Sequence, residues 1–224
     1  GEAAYLRDMR FVTADELIAL GHGQGRLEWL VHSLVPRPSK VLLNGIEKGG
    51  KSTLAVTLAN SVAAGGEFLG QRCEKGRVLY LQIDTPLPVW EMMLTRFREG
   101  GVEFHPDLVF IHPEDQRRPL DIRTPETRAY LRQAVREAGP DLVVLDTLRK
   151  VHSADENDST EMKVVGDHVD EVFGKQALLI LHHTKKNLTN MDGRPITDPR
   201  RAGRGSTFLQ GDVDGTWLLT GQNL

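Results

Sequence analysis

At 224 residues and 39% hydrophobic, the chain is long enough to bury one substantial core and too short for several, so one domain with appendages is expected. Its 28 Lys+Arg against 31 Asp+Glu leave a net charge of −3, which excludes an overall basic excess; any nucleic-acid contact must come from a local patch. Cys73 is the single cysteine, which excludes an intramolecular disulfide framework and a cysteine zinc cluster; with no bilayer-length apolar run and no signal-peptide pattern, a soluble cytoplasmic protein is the expectation.

Taken in chain order, residues 1–35 read as a lead-in with a short helix near Thr13–Leu20, and residues 36–224 as the main domain. The apolar run Val41-Leu42-Leu43 is followed by a glycine-rich stretch and then by the helix-like run Thr53–Ala59. Arg77–Ile83 reads as a strand bounded by Gly76 and Asp84, and Pro88–Arg98 as a helix that stops at Gly100-Gly101. Leu108–Ile111 is a further strand. The helix Thr124–Ala138 carries Pro125 in its first turn and Gly139-Pro140 after its end. Leu142–Leu145 lacks polar alternation, as a strand covered on both faces should. A helix over Glu161–Phe173, capped by Asp158 or Ser159, leads to the strand Ala177–Leu181, and Gly215–Thr220 is strand-like. Such alternation predicts an α/β fold: a mostly parallel twisted sheet with helices on both faces.

The glycine-rich stretch is Gly45-Ile46-Glu47-Lys48-Gly49-Gly50-Lys51-Ser52, which fits G-x-x-x-x-G-K-[ST] at each required position. Between a strand and a helix, such a loop turns its backbone N–H groups inward around phosphates, and the helix N-terminus adds partial positive charge. The expected nucleotide-binding set is Gly45, Lys48, Gly49, Gly50, Lys51, Ser52 and Thr53. Lys51 would reach the β- and γ-phosphates, and the Ser52 hydroxyl would ligate Mg²⁺. The ligand implied is a nucleoside triphosphate with Mg²⁺.

Asp146 ends the run Leu142–Leu145, where open α/β sheets place their ligands. Two readings stand for it: a second holder of the Mg²⁺, or a cap for the next turn. Asp84, after Ile83, is the candidate carboxylate for orienting an attacking water, or alternatively the N-cap of the following helix. His182-His183 follow a strand. They suit either sensing of the γ-phosphate or one buried and one exposed histidine, and a joint metal site is disfavoured because neighbours on a strand point oppositely. From Lys185 to Arg204 the chain carries six basic and two acidic residues and no aromatic, which suits contact with a phosphate backbone or a solvated loop. Asp155-Glu156-Asn157-Asp158 is acidic and would repel nucleic acid; it would instead serve Mg²⁺ or a neighbouring subunit.

With these residues in place, the chain resembles the RepA-like branch of the RecA/DnaB/KaiC ATPases, the hexameric replicative helicases and related AAA-type ATPases of plasmids and phages. The resemblance runs from about Glu28 to the end. It rests on Glu28-Trp29-Leu30-Val31, Asn44 through Ser52, Leu142 through Arg149, Asp155 through Asp158, Leu181 through Lys186, and Arg204-Gly205-Ser206. It implies a RecA-like core with ATP between subunits of a ring, His183 as γ-phosphate sensor, and Arg204 (with Arg201 as fallback) as a finger donated to the neighbour's site. It also implies that the loops after Asp146 and His183 face a channel carrying single-stranded DNA. Relatives usually carry glutamate where this chain has Asp84, and a carboxylate displaced by about 1 Å costs on the order of 10²-fold in rate. Slow hydrolysis, or an ATP-gated scaffold, is the expectation set beside the helicase motor. A small-molecule phosphotransferase would need an acceptor pocket and a lid, for which the sequence offers no signal. The end at Leu224, just after a strand, is expected to mark a fragment.

Overall fold

A computed structural model describes residues 11–23, 27–111, 120–184 and 211–220. The expected basic loop Lys185–Arg204, with Arg201 and Arg204, lies outside the described residues.

Among the described residues, six strands form one sheet in which every neighbouring pair is parallel: β3 (Ser39–Gly45), β6 (Val78–Gln82), β7 (Leu108–Ile111), β8 (Leu142–Asp146), β9 (Ala177–His183) and β10 (Gly215–Leu219). Their spatial order is β10-β3-β9-β8-β6-β7. Two short antiparallel hairpins accompany the sheet, β1 (Glu28–Val31) with β2 (Val35–Arg37), and β4 (Glu67–Phe68) with β5 (Gln71–Arg72). This is the predicted α/β class, a parallel sheet with helices on both faces.

Period-two alternation splits the strand side chains between two cores. Val41, Leu43, Tyr80, Val144 and Leu179 face one side, where α2 (Lys51–Ala64), α3 (Leu87–Glu99) and the first hairpin cover them. Leu42, Leu79, Leu145 and Ile180 face the other, against α4 (Pro125–Ala138) and α5 (Ser159–Phe173). The remaining helix, α1 (Ala14–Gly23), precedes the first hairpin. Leu30, Val31 and Val35 of that hairpin are buried, so residues read as lead-in close part of the core.

Local chemistry sets the ends of these elements. Thr124 Oγ1 accepts from Thr127 N at 3.3 Å, Pro125 follows it, and Gly139 ends α4 in the left-handed region at φ 55°. Asp158 is the cap of α5, accepting from Thr160 N at 2.7 Å and Glu161 N at 3.2 Å, so that helix starts two residues before the predicted Glu161. The remaining acidic residues nearby also act locally: Asp155 Oδ1 accepts from Asn157 N at 2.9 Å, and Glu161 Oε2 from Asp155 N at 3.0 Å. Strand β9 runs two residues past the predicted Leu181, because its pairing with β3 continues through Asn44↔His182 and Gly45↔His183. At the outer edge, Lys40 Nζ meets Asp212 at 2.7 Å and Asp170 at 2.9 Å, while Lys40 N donates to Asp214 Oδ2 at 2.8 Å, which ties β10 to β3.

Because β9 lies between β3 and β8, the carboxyl ends of β3, β9, β8 and β6 share one rim. Gly45, His183, Asp146 and Gln82 are their last residues. Strand β3 has β9 on one side and β10 on the other, and open α/β sheets bind ligands outside the carboxyl ends of such strands.

Candidate active site

The loop between β3 and α2 is shaped by its glycines. Gly50 sits in the left-handed region at φ 85°, and a Cβ on Gly49 would lie 2.8 Å from Ile46 Cγ1 and 2.9 Å from the Ile46 carbonyl oxygen. Only a residue without a side chain lets the loop close this tightly. Helix α2 begins directly at Lys51, so its first N–H groups, including those of Ser52 and Thr53, lie at the loop's mouth. Lys51 is buried; its Nζ donates to the carbonyls of Gly45 at 2.9 Å and Ile46 at 2.8 Å and approaches His183 Nδ1 at 3.3 Å. Burial lowers its pKa, with Asp146, Glu47 and Asp84 opposing that shift.

Asp146 is 4% exposed at the end of β8. Tyr80 Oη donates to its Oδ2 at 2.8 Å, and the Ser52 hydroxyl bonds to the same carboxylate. Burial raises the carboxyl's pKa, and these two hydrogen bonds pull it back. Tyr80 is itself fully buried, wedged between Trp90 and Phe110 at ring-centroid distances of 5.3 and 5.2 Å. An aromatic cluster thus fixes the hydroxyl that orients Asp146.

Asp84 lies just beyond β6, where its N–H and that of Ile83 point at the Asp146 carbonyl (3.4 and 3.0 Å). The Gln82 side chain donates to the Thr85 carbonyl and shapes the same turn. Asp84 does not cap the next helix: the N-cap of α3 is Pro86, without a side-chain cap. Its carboxylate instead has Lys150 Nζ at 3.2 Å and His183 Nε2 at 3.8 Å. His183, and then Lys150, hold this carboxyl below the ordinary value of 3.8, against its partial burial.

His182 and His183 diverge as strand neighbours should, His182 buried at 3% exposure and His183 open toward the loop. Among the described residues no group of three or more His, Cys, Asp or Glu is arranged to hold a metal ion. One hydroxyl and one carboxylate, Ser52 and Asp146, do suit a cation that keeps several waters and shares phosphate oxygens, as Mg²⁺ does.

The rim therefore gathers Gly45, Lys48, Gly49, Gly50, Lys51, Ser52, Thr53, Asp84, Asp146 and His183 into one neighbourhood of β3, β6, β8 and β9. Sequence reasoning missed Tyr80 and Lys150. Tyr80 had a usable signal, since a buried tyrosine must find a partner for its hydroxyl. Lys150 had none, because its approach to Asp84 is made only by the three-residue 3₁₀ turn Leu148–Lys150 after β8.

Compared with known families, residues 8–188 match the AAA domain family AAA_25. The chain belongs to that AAA domain family. With its phosphate-type loop, that membership makes it a P-loop ATPase domain. Among solved structures, a KaiC-like protein from the hyperthermophilic archaeon Pyrococcus horikoshii OT3 is similar, with 12% identity over 75% of each chain and a TM-score of 0.45. That likeness is too loose to bear on mechanism. Among the described residues of this AAA domain, no helix is long and apolar enough to cross a membrane.

Proposed function

We propose that this AAA domain hydrolyses ATP as a motor of the replicative DNA helicase type, coupling turnover to single-stranded DNA within a ring of six copies. The observation that carries this reading is the row Lys51–His183–Asp84–Lys150, spaced at 3.3, 3.8 and 3.2 Å. It links the phosphate loop to the ends of β9 and β8, from which the two segments expected to meet DNA depart. Such a row carries coupling where a member has two discrete arrangements, and the proposed cycle gives Lys51 two, on its loop carbonyls and on the triphosphate.

In the cycle we infer, Lys51 leaves its two loop carbonyls for the triphosphate, and the loop N–H groups surround the phosphates. When bound, Mg²⁺ would be held by Ser52 with Asp146 behind it, and would neutralise phosphate charge. Asp84 orients water; the water oxygen bonds to the γ-phosphorus as the bond to the β,γ-bridging oxygen breaks. ADP leaves with that electron pair, and the water's proton ends on the released phosphate. Because its carboxyl is held acidic, Asp84 acts by orienting the water more than by early proton removal. His183 senses the γ-phosphate beside Lys51, and Arg204 completes the site of a neighbouring copy.

An ATP-gated oligomeric scaffold with weak hydrolysis is the second reading. It is favoured by the engagement of Asp84 with Lys150 and by the short aspartate side chain itself. Steady-state hydrolysis with and without oligothymidylate separates the two, with Lys51→Ala as the blank. Several-fold stimulation that vanishes in the variant supports the motor; nucleotide binding with flat, near-blank turnover supports the scaffold.

A further inference from the structure

Lys150 ends the row that reaches from the phosphate loop but takes no chemical step in the cycle, yet among the described residues its ammonium is the closest cation to Asp84, 3.2 Å from Oδ1. Its backbone is fixed: Lys150 N donates to the Thr147 carbonyl at 3.1 Å, and the flanking Leu148 and Val151 are fully buried. Its side chain is not, being 51% exposed against 28% for Asp84. Arg149, beside it on the same turn, is also exposed. A rigid turn therefore offers two neighbouring cations outward, and one of them lies on the carboxylate needed to orient water.

We propose that Lys150 is a restraining residue, which holds Asp84 away from its water-orienting position in the resting enzyme and releases it when a phosphodiester backbone takes the lysine ammonium. The inference rests on the reading of Asp84 as the water-orienting carboxylate and names how that site is regulated. Two groups compete for one flexible ammonium. The carboxylate brings a single charge, whereas a nucleic-acid strand brings several phosphates to Arg149 and Lys150 together. An exposed ion pair is weak enough to be exchanged in this way. His183, on the opposite oxygen of Asp84, stays in place and keeps the carboxylate at the rim. Lys150 thus acts through Asp84 and needs no contact with ATP.

The test compares wild type, Lys150→Met and Lys150→Arg, with Lys163→Met as a charge-loss control, since Lys163 pairs with Asp167 on the exposed face of α5. Without DNA, Lys150→Met should raise kcat roughly two- to five-fold, the range an exposed ion pair spans, with KM for ATP unchanged. Its stimulation by oligothymidylate should fall away, while Lys150→Arg and Lys163→Met behave as wild type. A merely structural lysine would lower kcat when removed and would leave the ratio of stimulated to basal rate intact. A basal kcat in Lys150→Met at or below wild type overturns the restraint. A raised basal rate with full stimulation retained overturns release by the strand. Should Asp84→Asn keep wild-type turnover, the reading of Asp84 fails, and should oligothymidylate leave wild type unstimulated, the motor reading fails and release by a strand with it; a raised basal rate in Lys150→Met still reads the restraint separately.

Discussion

Tyr80→Phe isolates one hydrogen bond in a setting that otherwise stays packed. The ring fills the same space between Trp90 and Phe110, so no cavity opens, and the change removes the 2.8 Å donation to Asp146 Oδ2. Asp146 is 4% exposed and already raised in pKa by burial, so solvent cannot replace the lost donor. A hydrogen bond to a charged group is worth about 1.5–3 kcal/mol, and its loss should push the carboxyl's pKa further up. The sign follows from ionisation. The lost bond matters most above the Asp146 pKa, where the carboxylate is charged, and the penalty shrinks as pH falls and the group protonates in both proteins. Urea unfolding of wild type and variant at pH 7.5 and pH 5 reads this directly through the shift in midpoint at constant m. Turnover should fall as well, since the group behind Ser52 loses an orienting partner, and such partners are worth about 10- to 100-fold in metal affinity. A stability loss under about 0.5 kcal/mol at pH 7.5 would refute the claim that Tyr80 holds a charged carboxylate.

Further substitutions test other parts of the site. Asp146→Asn should abolish Mg²⁺-dependent turnover while leaving the melting temperature of the nucleotide-free protein equal or higher, because it removes a buried charge whose pKa burial has raised; a marked drop in melting temperature would contradict this. Gly49→Ala brings a Cβ to 2.8 Å from Ile46 Cγ1 and 2.9 Å from its carbonyl oxygen, so the loop must open and nucleotide binding should weaken at least tenfold in equilibrium titration; binding within twofold of wild type would contradict this. His152 is 4% exposed, neither ring nitrogen has a hydrogen-bond partner among the described residues, and burial lowers its pKa. A depressed histidine adds stability above its unfolded pKa of about 6.5 that is lost as pH falls. His152→Leu should therefore flatten the decline in melting temperature between pH 7 and pH 5, and an unchanged slope would count against a buried neutral imidazole.

The sheet was legible because strands covered on both faces are continuous apolar runs, and Val41–Leu43, Leu142–Leu145 and Ala177–Leu181 mark three of its central strands. Proline and glycine bracketed α4 for the same local reasons that the structure shows. The hairpins were not legible, since strands of two to four residues carry no period, and their pairing depends on contacts such as His32 N to the Arg72 carbonyl at 2.9 Å. Within the site, motif chemistry named Lys51, Ser52 and Asp146, whereas the partners of Asp84 came from strand order. Strand patterns alone do not bring residues 84, 150 and 183 together; the adjacency of β9, β8 and β6 in the sheet does. Arg204 and the basic loop stand as sequence expectations, outside the described residues.

The most direct test of the account is the pair of constants, ATP affinity and kcat, for Asp84→Asn beside wild type. The variant keeps the loop, Lys51 and Asp146, so ATP should bind within about twofold of wild type while kcat falls by a factor on the order of 10² or more. Turnover retained in Asp84→Asn, or ATP binding lost together with it, would contradict the claim that this carboxylate orients the attacking water at a preformed nucleotide site.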